Sequence, residues 1–310
     1  MAYRHVPVMR TEVIDHLNCR PGGIYADGTL GGAGHARDIL ERSAPDGLLI
    51  GLDQDADAVA NARAVLAEQA ERVRLFHRNF TALPEVLQEL GLTGVDGILL
   101  DLGISLHHLQ GSGRGFSFLR DEPLDMRMDT RTPQTAADLV NRLKEDELRR
   151  LFQEYGEERW SGRIARRIGE VRRQQPIRTS GELARIVCAA VPGGGRRRIH
   201  PATRVFMALR IAVNDELGRL AELLDRVPEL LNPGGRLCVL SFHSLEDRIV
   251  KQRLKAMAQG GRRERGPGGA ADRPESVLSI LTRKVVRPGP DEIAANPMAR
   301  STKLRAAQRV

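Results

Sequence analysis

The sequence predicts an α/β fold: a largely parallel sheet covered by helices on both faces and interrupted after its fourth strand by a helical insert. Three observations lead there. Short continuous apolar runs alternate with helical stretches through the first third of the chain, as expected of strands buried on both faces. That rhythm breaks near residue 104 and resumes at RLCVLSF, residues 236–242. Finally, YADGTLGGAGHA (25–36) sets Gly28, Gly31, Gly32 and Gly34 straight after the first apolar run. Open α/β sheets hold their ligands where strands end and helices begin.

Taken in order, residues 24–27 read as the first strand, and HARDILERS after the glycine turn as a helix. LLIGLD (48–53) is a strand ending in an acid, followed by the Ala-rich helical stretch DADAVANARAVLAEQA. RVRLFHRNF (72–80) reads as strand then turn, LPEVLQEL as a helix, and GILLDLG (97–103) as a strand carrying Asp101. Residues 104–133 show little periodicity, whereas 135–187 look helical, with Trp160, Ile164, Ile168 and Val171 on one face. After the loop VPGGGRRRIHP, ATRVFMALRIAVNDELGRLAELLDRV reads as one long helix. LNPGG is a turn before the strand at 236–242, and SLEDRIVKQRLKAM a helix. The Gly- and Arg-rich stretch 259–275 reads as mobile, and SILTRKVVRP and TKLRAAQRV as closing strands. The predicted organisation is therefore 1–110 and 206–310 forming one α/β domain, with 111–205 as the insert.

With 310 residues, 41% of them hydrophobic, the chain can bury one large core or two smaller ones. No apolar run is long enough to span a bilayer, and MAYRHVPVMRTEV lacks the continuous apolar region of a secretory signal. Cys19, Cys188 and Cys238 are far apart, without metal-ligand spacing. A reduced cytoplasmic protein without a metal or membrane partner is the expectation. The net charge of +8 suits an anionic partner such as nucleic acid. Only five of the 48 basic residues are Lys, a bias that codon composition alone also produces.

The glycine turn is not a P-loop, since no Gly-Lys-Ser/Thr ends it, and its spacing is not G-x-G-x-x-G. Asp53 falls 22 residues after Gly31, where an acid accepts hydrogen bonds from ribose hydroxyls. Nicotinamide dinucleotides and S-adenosylmethionine both carry that ribose. A pyrophosphate wants backbone N–H groups at a helix N-terminus. A sulfonium amino acid wants close backbone and acceptors for its ammonium group. Asp27 and the pattern D-G-T-x-G-x-x-G suit the second; tight strand–helix packing without a ligand is the bland alternative. Asp101, at the end of the fourth strand, can hold a nucleophilic amine or simply serve as a helix cap or turn residue.

Seven blocks carry a family resemblance: DGTLGGAGHA, DGILLDLGIS, RGFSFLRDEPLDMRMD, YGEERWSGRIARRI, HPATRVFMALRIAVNDEL, PGGRLCVLSFHSLEDRIVK and NPMARSTKLR. From His5 to about Arg305 the chain closely resembles the bacterial 16S rRNA (cytosine-N4)-methyltransferases, the RsmH or MraW family. The resemblance implies a Rossmann-like S-adenosylmethionine-dependent methyltransferase sheet whose helical insert meets the RNA. It implies methyl transfer to N4 of one cytosine in the decoding region, with 16S rRNA in the small ribosomal subunit as partner. A homodimer is compatible with the sequence. The cofactor contacts it implies map onto Ala33, Gly34, His35, Asp53, Phe80, Asp101 and His108. The family usually reads V-S-S-P/H-Q-L-D after D-L-G. Here ISLHHLQ puts Leu106 for Ser, His108 for Gln and Gln110 for Asp. His donates or accepts as Gln does, but it titrates.

Within that resemblance Asp101, with the carbonyls of Leu102 to Ile104, is expected to accept the hydrogens of the cytosine amine. Attack by nitrogen calls for neither a metal nor a covalent Cys intermediate. Phe116 and Phe118 are candidates to stack on the target base, or to pack the insert. Arg114, Arg120, Arg127, Arg163, Arg166, Arg167 and Arg196–Arg198 are candidates for phosphates. In SFHSLEDR, His243 could orient the substrate, or Ser241 and Glu246 cap the next helix. Rival readings are an NAD-dependent oxidoreductase, a non-catalytic RNA-binding module, and a DNA amine methyltransferase. The missing G-x-G-x-x-G argues against the first, and the missing [DNS]-P-P-[YFW] motif against the last.

Overall fold

The computed structural model describes residues 7–192, 199–260 and 276–310; Arg196–Arg198 and most of the stretch read as mobile lie outside them. Seven strands form one sheet: β1 (Ile24–Asp27), β2 (Leu48–Asp53), β3 (Val73–His77), β4 (Val95–Asp101), β5 (Leu231–Ser241), β6 (Leu278–Ile280) and β7 (Lys303–Arg309). Their order is β3-β2-β1-β4-β5-β7-β6. The pairs from β3 to β5 are parallel, and β7 runs antiparallel between β5 and β6. The strand order reverses between β1 and β4, the switch point at which open α/β sheets bind ligands.

The parallel strands are apolar on both faces because both are covered. Ala26, Ile50, Leu52, Ile98, Leu100 and Val239 share one core with the helices Leu83–Glu89, Glu216–Leu230 and Ser244–Ala258. Their neighbours Tyr25, Leu49, Leu99, Cys238 and Leu240 point the other way, into a core with helices Arg10–Leu17, Gly34–Arg42 and Ala56–Val65. That strict alternation is the two-residue period of a strand. Differences from the sequence reading are local. The LNPGG stretch lies inside β5, which meets Val95 through Leu231 and then shifts register before Gly97. The Ala-rich helix stops at Val65, and Ala67–Arg72 is a 3₁₀ turn. Of SILTRKVVRP only Ser279 and Ile280 are strand, the end of Leu278–Ile280, with one isolated bridge from Val286 to Leu304.

Two compact units emerge. Residues 3–103 with 217–310 contain the sheet, and 104–216 contain the insert. The insert thus starts earlier and ends later than the composition suggested, for two physical reasons. Ile104 and Leu109 pack into the insert's own core. And the expected single helix is two, Ala202–Asn214 and Glu216–Leu230, broken at Asp215 in the left-handed region (φ 49°, ψ 41°). Asn and Asp tolerate that conformation. Buried Asn214 accepts from the Met128 amide at 2.7 Å and donates to the Met126 carbonyl at 2.8 Å, tying down the aperiodic stretch.

The insert core takes up several candidates for RNA contacts, and for the two rings it realises the packing alternative. Phe116 is buried, edge-on to His108 with centroids 4.9 Å apart. Phe118 stacks on His200 at 4.3 Å and meets Phe206 edge-on. Both pack the insert, because each ring has an intramolecular partner. Arg114 is buried and donates to the carbonyls of Arg127 and Met128. Arg127 forks onto Asp125. Arg163 lies over Trp160, while Arg166 and Arg167 pair with Glu145 and Glu170; all three stay exposed. No helix among the described residues is long and apolar enough to cross a membrane.

Candidate active site

Strand register sets the geometry. Asp27 of β1 stands opposite Gly51 of β2 and Leu99 of β4. Asp53 and Asp101 each lie two residues further on, so they flank the turn that begins at Asp27, one on either side. The turn is stitched to both neighbours. The Gly28 amide donates to the Leu99 carbonyl (3.0 Å), and the Leu30 amide to the Leu52 carbonyl (3.3 Å). The Gly31 amide donates to Asp53 Oδ2 at 3.0 Å, and the Asp101 amide to Thr29 Oγ1 at 2.6 Å. Thr29 in turn donates its amide to Asp27 Oδ1 at 3.0 Å.

Two of the glycines answer to the protein's own packing. A Cβ on Gly28 would stand 2.7 Å from Leu100 Cδ2 and 2.9 Å from Phe80 Cβ; one on Gly34 would stand 2.6 Å from Pro7 Cγ. Gly31 and Ala33 have left-handed φ values of 45° and 60°, which turns the chain into helix Gly34–Arg42. Gly28→Ala is therefore expected to cost about 1–3 kcal/mol of stability through overpacking and to weaken cofactor binding with it. Thermal unfolding with and without cofactor measures both. An unchanged midpoint would show that Leu100 and Phe80 yield.

Three carboxyls converge here, and all three are pushed up by burial: Asp27 to about 6, Asp53 to about 7 and Asp101 to about 8. The amides of Asp55 and Gly31 pull Asp53 partly back. The charges of Asp27 and Glu246 push Asp101 higher still. His35, the second residue of its helix and 4% exposed, brings Nε2 to 3.7 Å from Asp101 Oδ2. Asp101 Oδ1 is buried and takes no hydrogen bond among the described residues. Such an acceptor is costly unless a ligand satisfies it. A pocket of acids suits a cationic group and repels a pyrophosphate. S-adenosylmethionine, with its ammonium, sulfonium and ribose hydroxyls, matches this donor and acceptor set; a dinucleotide does not.

A family model described as the MraW methylase family matches residues 2–310. The chain belongs to the MraW methylase family. It is a family of S-adenosylmethionine-dependent methyltransferases. Two curated relatives, both called "Ribosomal RNA small subunit methyltransferase H", are similar along their whole length. One from Desulfosudis oleivorans is 52% identical over 312 residues, with 100% of each chain covered. One from Geobacter sulfurreducens is 54% identical over 315 residues, again with 100% of each covered. Among solved structures, an rRNA methylase from Streptococcus thermophilus aligns at TM-score 0.43 and 9% identity, covering 100% of this chain and 99% of that one.

Of the seven positions marked from sequence, six lie in the sheet unit of this methylase. Ala33, Gly34 and His35 turn into the helix, Asp53 ends β2, Phe80 follows β3 and touches the turn, and Asp101 ends β4. His108 belongs to the insert unit, where its Nδ1 caps its own helix: the Ser105 amide donates to it at 3.2 Å. His243 and Glu246, rather than Ser241, form the capping box of helix Ser244–Ala258. Ser241 is the last residue of β5 and reaches the Lys303 carbonyl. Two contributors escaped the sequence reading. Thr29 joins Asp27 to the Asp101 backbone, and buried Glu246 presses on Asp101 electrostatically. A hydroxyl two residues past a strand-end acid is the local pattern that signals the first. Glu246 shows no local pattern beyond its cap.

Proposed function

We propose that this methylase transfers a methyl group to N4 of one cytosine in the decoding region of 16S rRNA, with the small ribosomal subunit as substrate. The observation that carries the reading is Asp101, a buried carboxyl at the switch point with Oδ1 unbonded and His35 beside Oδ2. The names of the curated relatives support the rRNA substrate.

When bound, S-adenosylmethionine supplies an electrophilic methyl on a sulfonium centre. The chain's own part is to hold the acceptor. A cytosine amine is conjugated with its ring, and its lone pair must be turned out towards the methyl carbon. Asp101, ionised, accepts an N–H of that amine and fixes its direction; orientation of this kind lowers the barrier without covalent chemistry. Held there, the cofactor would give its methyl to that nitrogen and leave as the neutral thioether, keeping the electron pair of the broken bond. The nitrogen then loses a proton to Asp101 or to water. Asp53 holds the ribose, Ala33, Gly34 and His35 the methionine end, and Phe80 the base. The target base must leave its stack to be reached, and exposed arginines of the insert hold the flanking RNA.

The test is methyl transfer from labelled S-adenosylmethionine to small subunits from cells lacking this enzyme, with digested nucleosides read by mass. N4-methylcytidine on subunits, lost with Asp101→Ala, is expected. Label in another nucleoside would overturn the N4 assignment. No label despite cofactor binding would overturn the substrate.

A further inference from the structure

We infer that a basic groove beside the edge strand β6 is a second RNA-binding surface that grips the sugar–phosphate backbone. The inference rests on the RNA substrate proposed above. The groove encloses about 740 Å³ between helix Ser244–Ala258 and β6. β6 is the last strand of the sheet, so its outer side faces no further strand. The helix turns Val250 and Leu254 inward, which leaves Lys251 and Lys255, four residues apart, exposed together on the groove side. Arg283 enters from the segment after β6.

The charge balance of this groove is one-sided. Several other cations of the sheet unit are matched: Arg253 pairs with Asp225, Arg226 with Glu85 and Arg78 with Glu89, and Arg305, in the groove wall itself, is taken up by Asp247. Lys251, Lys255 and Arg283 have no ion-pair partner among the described residues, and of the described residues that line the groove none is Asp or Glu. Like charges four residues apart on a helix repel each other, so the arrangement works against stability until an anion arrives. Gln259 and Ser279 add neutral hydrogen-bonding groups along the wall. The lining contains no aromatic ring on which a base could stack. Cations and neutral polar groups without a stacking platform fit phosphate and ribose, which position a nucleic acid without reading its sequence. The register places the groove away from the carboxyls. Leu278 pairs with Arg309 and Gln308 with Arg236, at the opening of the paired part of β5, whereas Asp101 pairs at Leu240 near its end. A contact here would hold a part of the substrate remote from the reacting base.

The test compares the full-length enzyme with the triple variant Lys251→Ser, Lys255→Ser, Arg283→Ser. Affinity for small subunits is expected to fall about tenfold, and the slope of log K against log salt to shrink by about 2 to 3, near 1 per lost phosphate contact. kcat at saturating subunits should stay unchanged, as should the thermal midpoint. Lys251→Arg with Lys255→Arg should bind like the parent. Unchanged affinity and slope in the triple variant would overturn the inference. So would a loss seen on subunits but absent on deproteinised 16S rRNA, which would assign the groove to a ribosomal protein. If the parent binds rRNA but methylates no subunit, the proposed function fails, and the binding slopes still decide the groove.

Discussion

Replacing Asp101 by Asn is expected to lower kcat for methyl transfer by about 10² to 10⁴, the range for removing a positioned proton acceptor. Subunit affinity should change by less than about threefold if, as proposed, the carboxyl at the end of β4 meets the reacting amine rather than the phosphates that dominate RNA affinity. The isostere keeps the shape and cannot take the proton. Its amide would also present a donor at Oδ1, the atom that now takes no hydrogen bond. Single-turnover methylation with preformed complex, beside equilibrium binding of subunits, separates the two. Equal loss of both would mean that Asp101 supports the fold of the turn, through the amide it donates to Thr29.

Cofactor affinity is expected to climb between pH 6 and pH 8, by up to about tenfold per pH unit for each carboxyl that must ionise to meet the cation. Asp27, Asp53 and Asp101 are raised to about 6, 7 and 8 by burial. A carboxyl raised in the folded chain holds its proton more tightly folded than unfolded. That favours the folded state, fully so below the ordinary value near 3.8, and the advantage is lost as pH rises through the folded value. The cofactor-free protein should therefore have a falling thermal midpoint from pH 5 to pH 8. The shift produced by S-adenosylmethionine should grow over the same interval, since its positive charges replace the missing protons. Calorimetry near pH 6.5 in buffers of different ionisation enthalpy should show proton release on binding. A cofactor-induced shift independent of pH would mean that the carboxyls do not face the cation.

Much of the site was legible because a parallel sheet places strand ends by register alone. Once four apolar runs were recognised, Asp53 and Asp101 had to flank the turn after Asp27, as they do. What escaped depends on rotations that local sequence does not encode. Whether His35 points at Asp101 is decided by Ala33 adopting a left-handed conformation, without a glycine to announce it. The helix break at Asp215 also lacks Gly or Pro, and the apolar period runs through it; the pull on Asn214 from the Met126–Met128 backbone is a long-range effect. For Phe116 and Phe118 the sequence left base stacking and packing of the insert open, and for Arg114 a phosphate contact, because aromatics and arginines serve either role. Only the tertiary core of the insert shows them occupied. His243 is the converse case. Its capping box with Glu246 satisfies the helix start, where sequence habit looks for Ser.

The pairing of β4 with β5 has a consequence during synthesis. Leu231 follows Asp101 by about 130 residues, which at roughly 5–20 residues per second leaves the ribosome busy for on the order of ten seconds. Through that interval β4, whose other neighbour is β1, carries an unclaimed edge, and open edges recruit strands from other chains. The 104–216 unit emerges in that gap with its own apolar core. It can compact before the sheet is able to close. A nascent chain stalled before Leu231 is thus a four-strand half-sheet beside a finished helical domain, and that is the species most exposed to aggregation when translation slows.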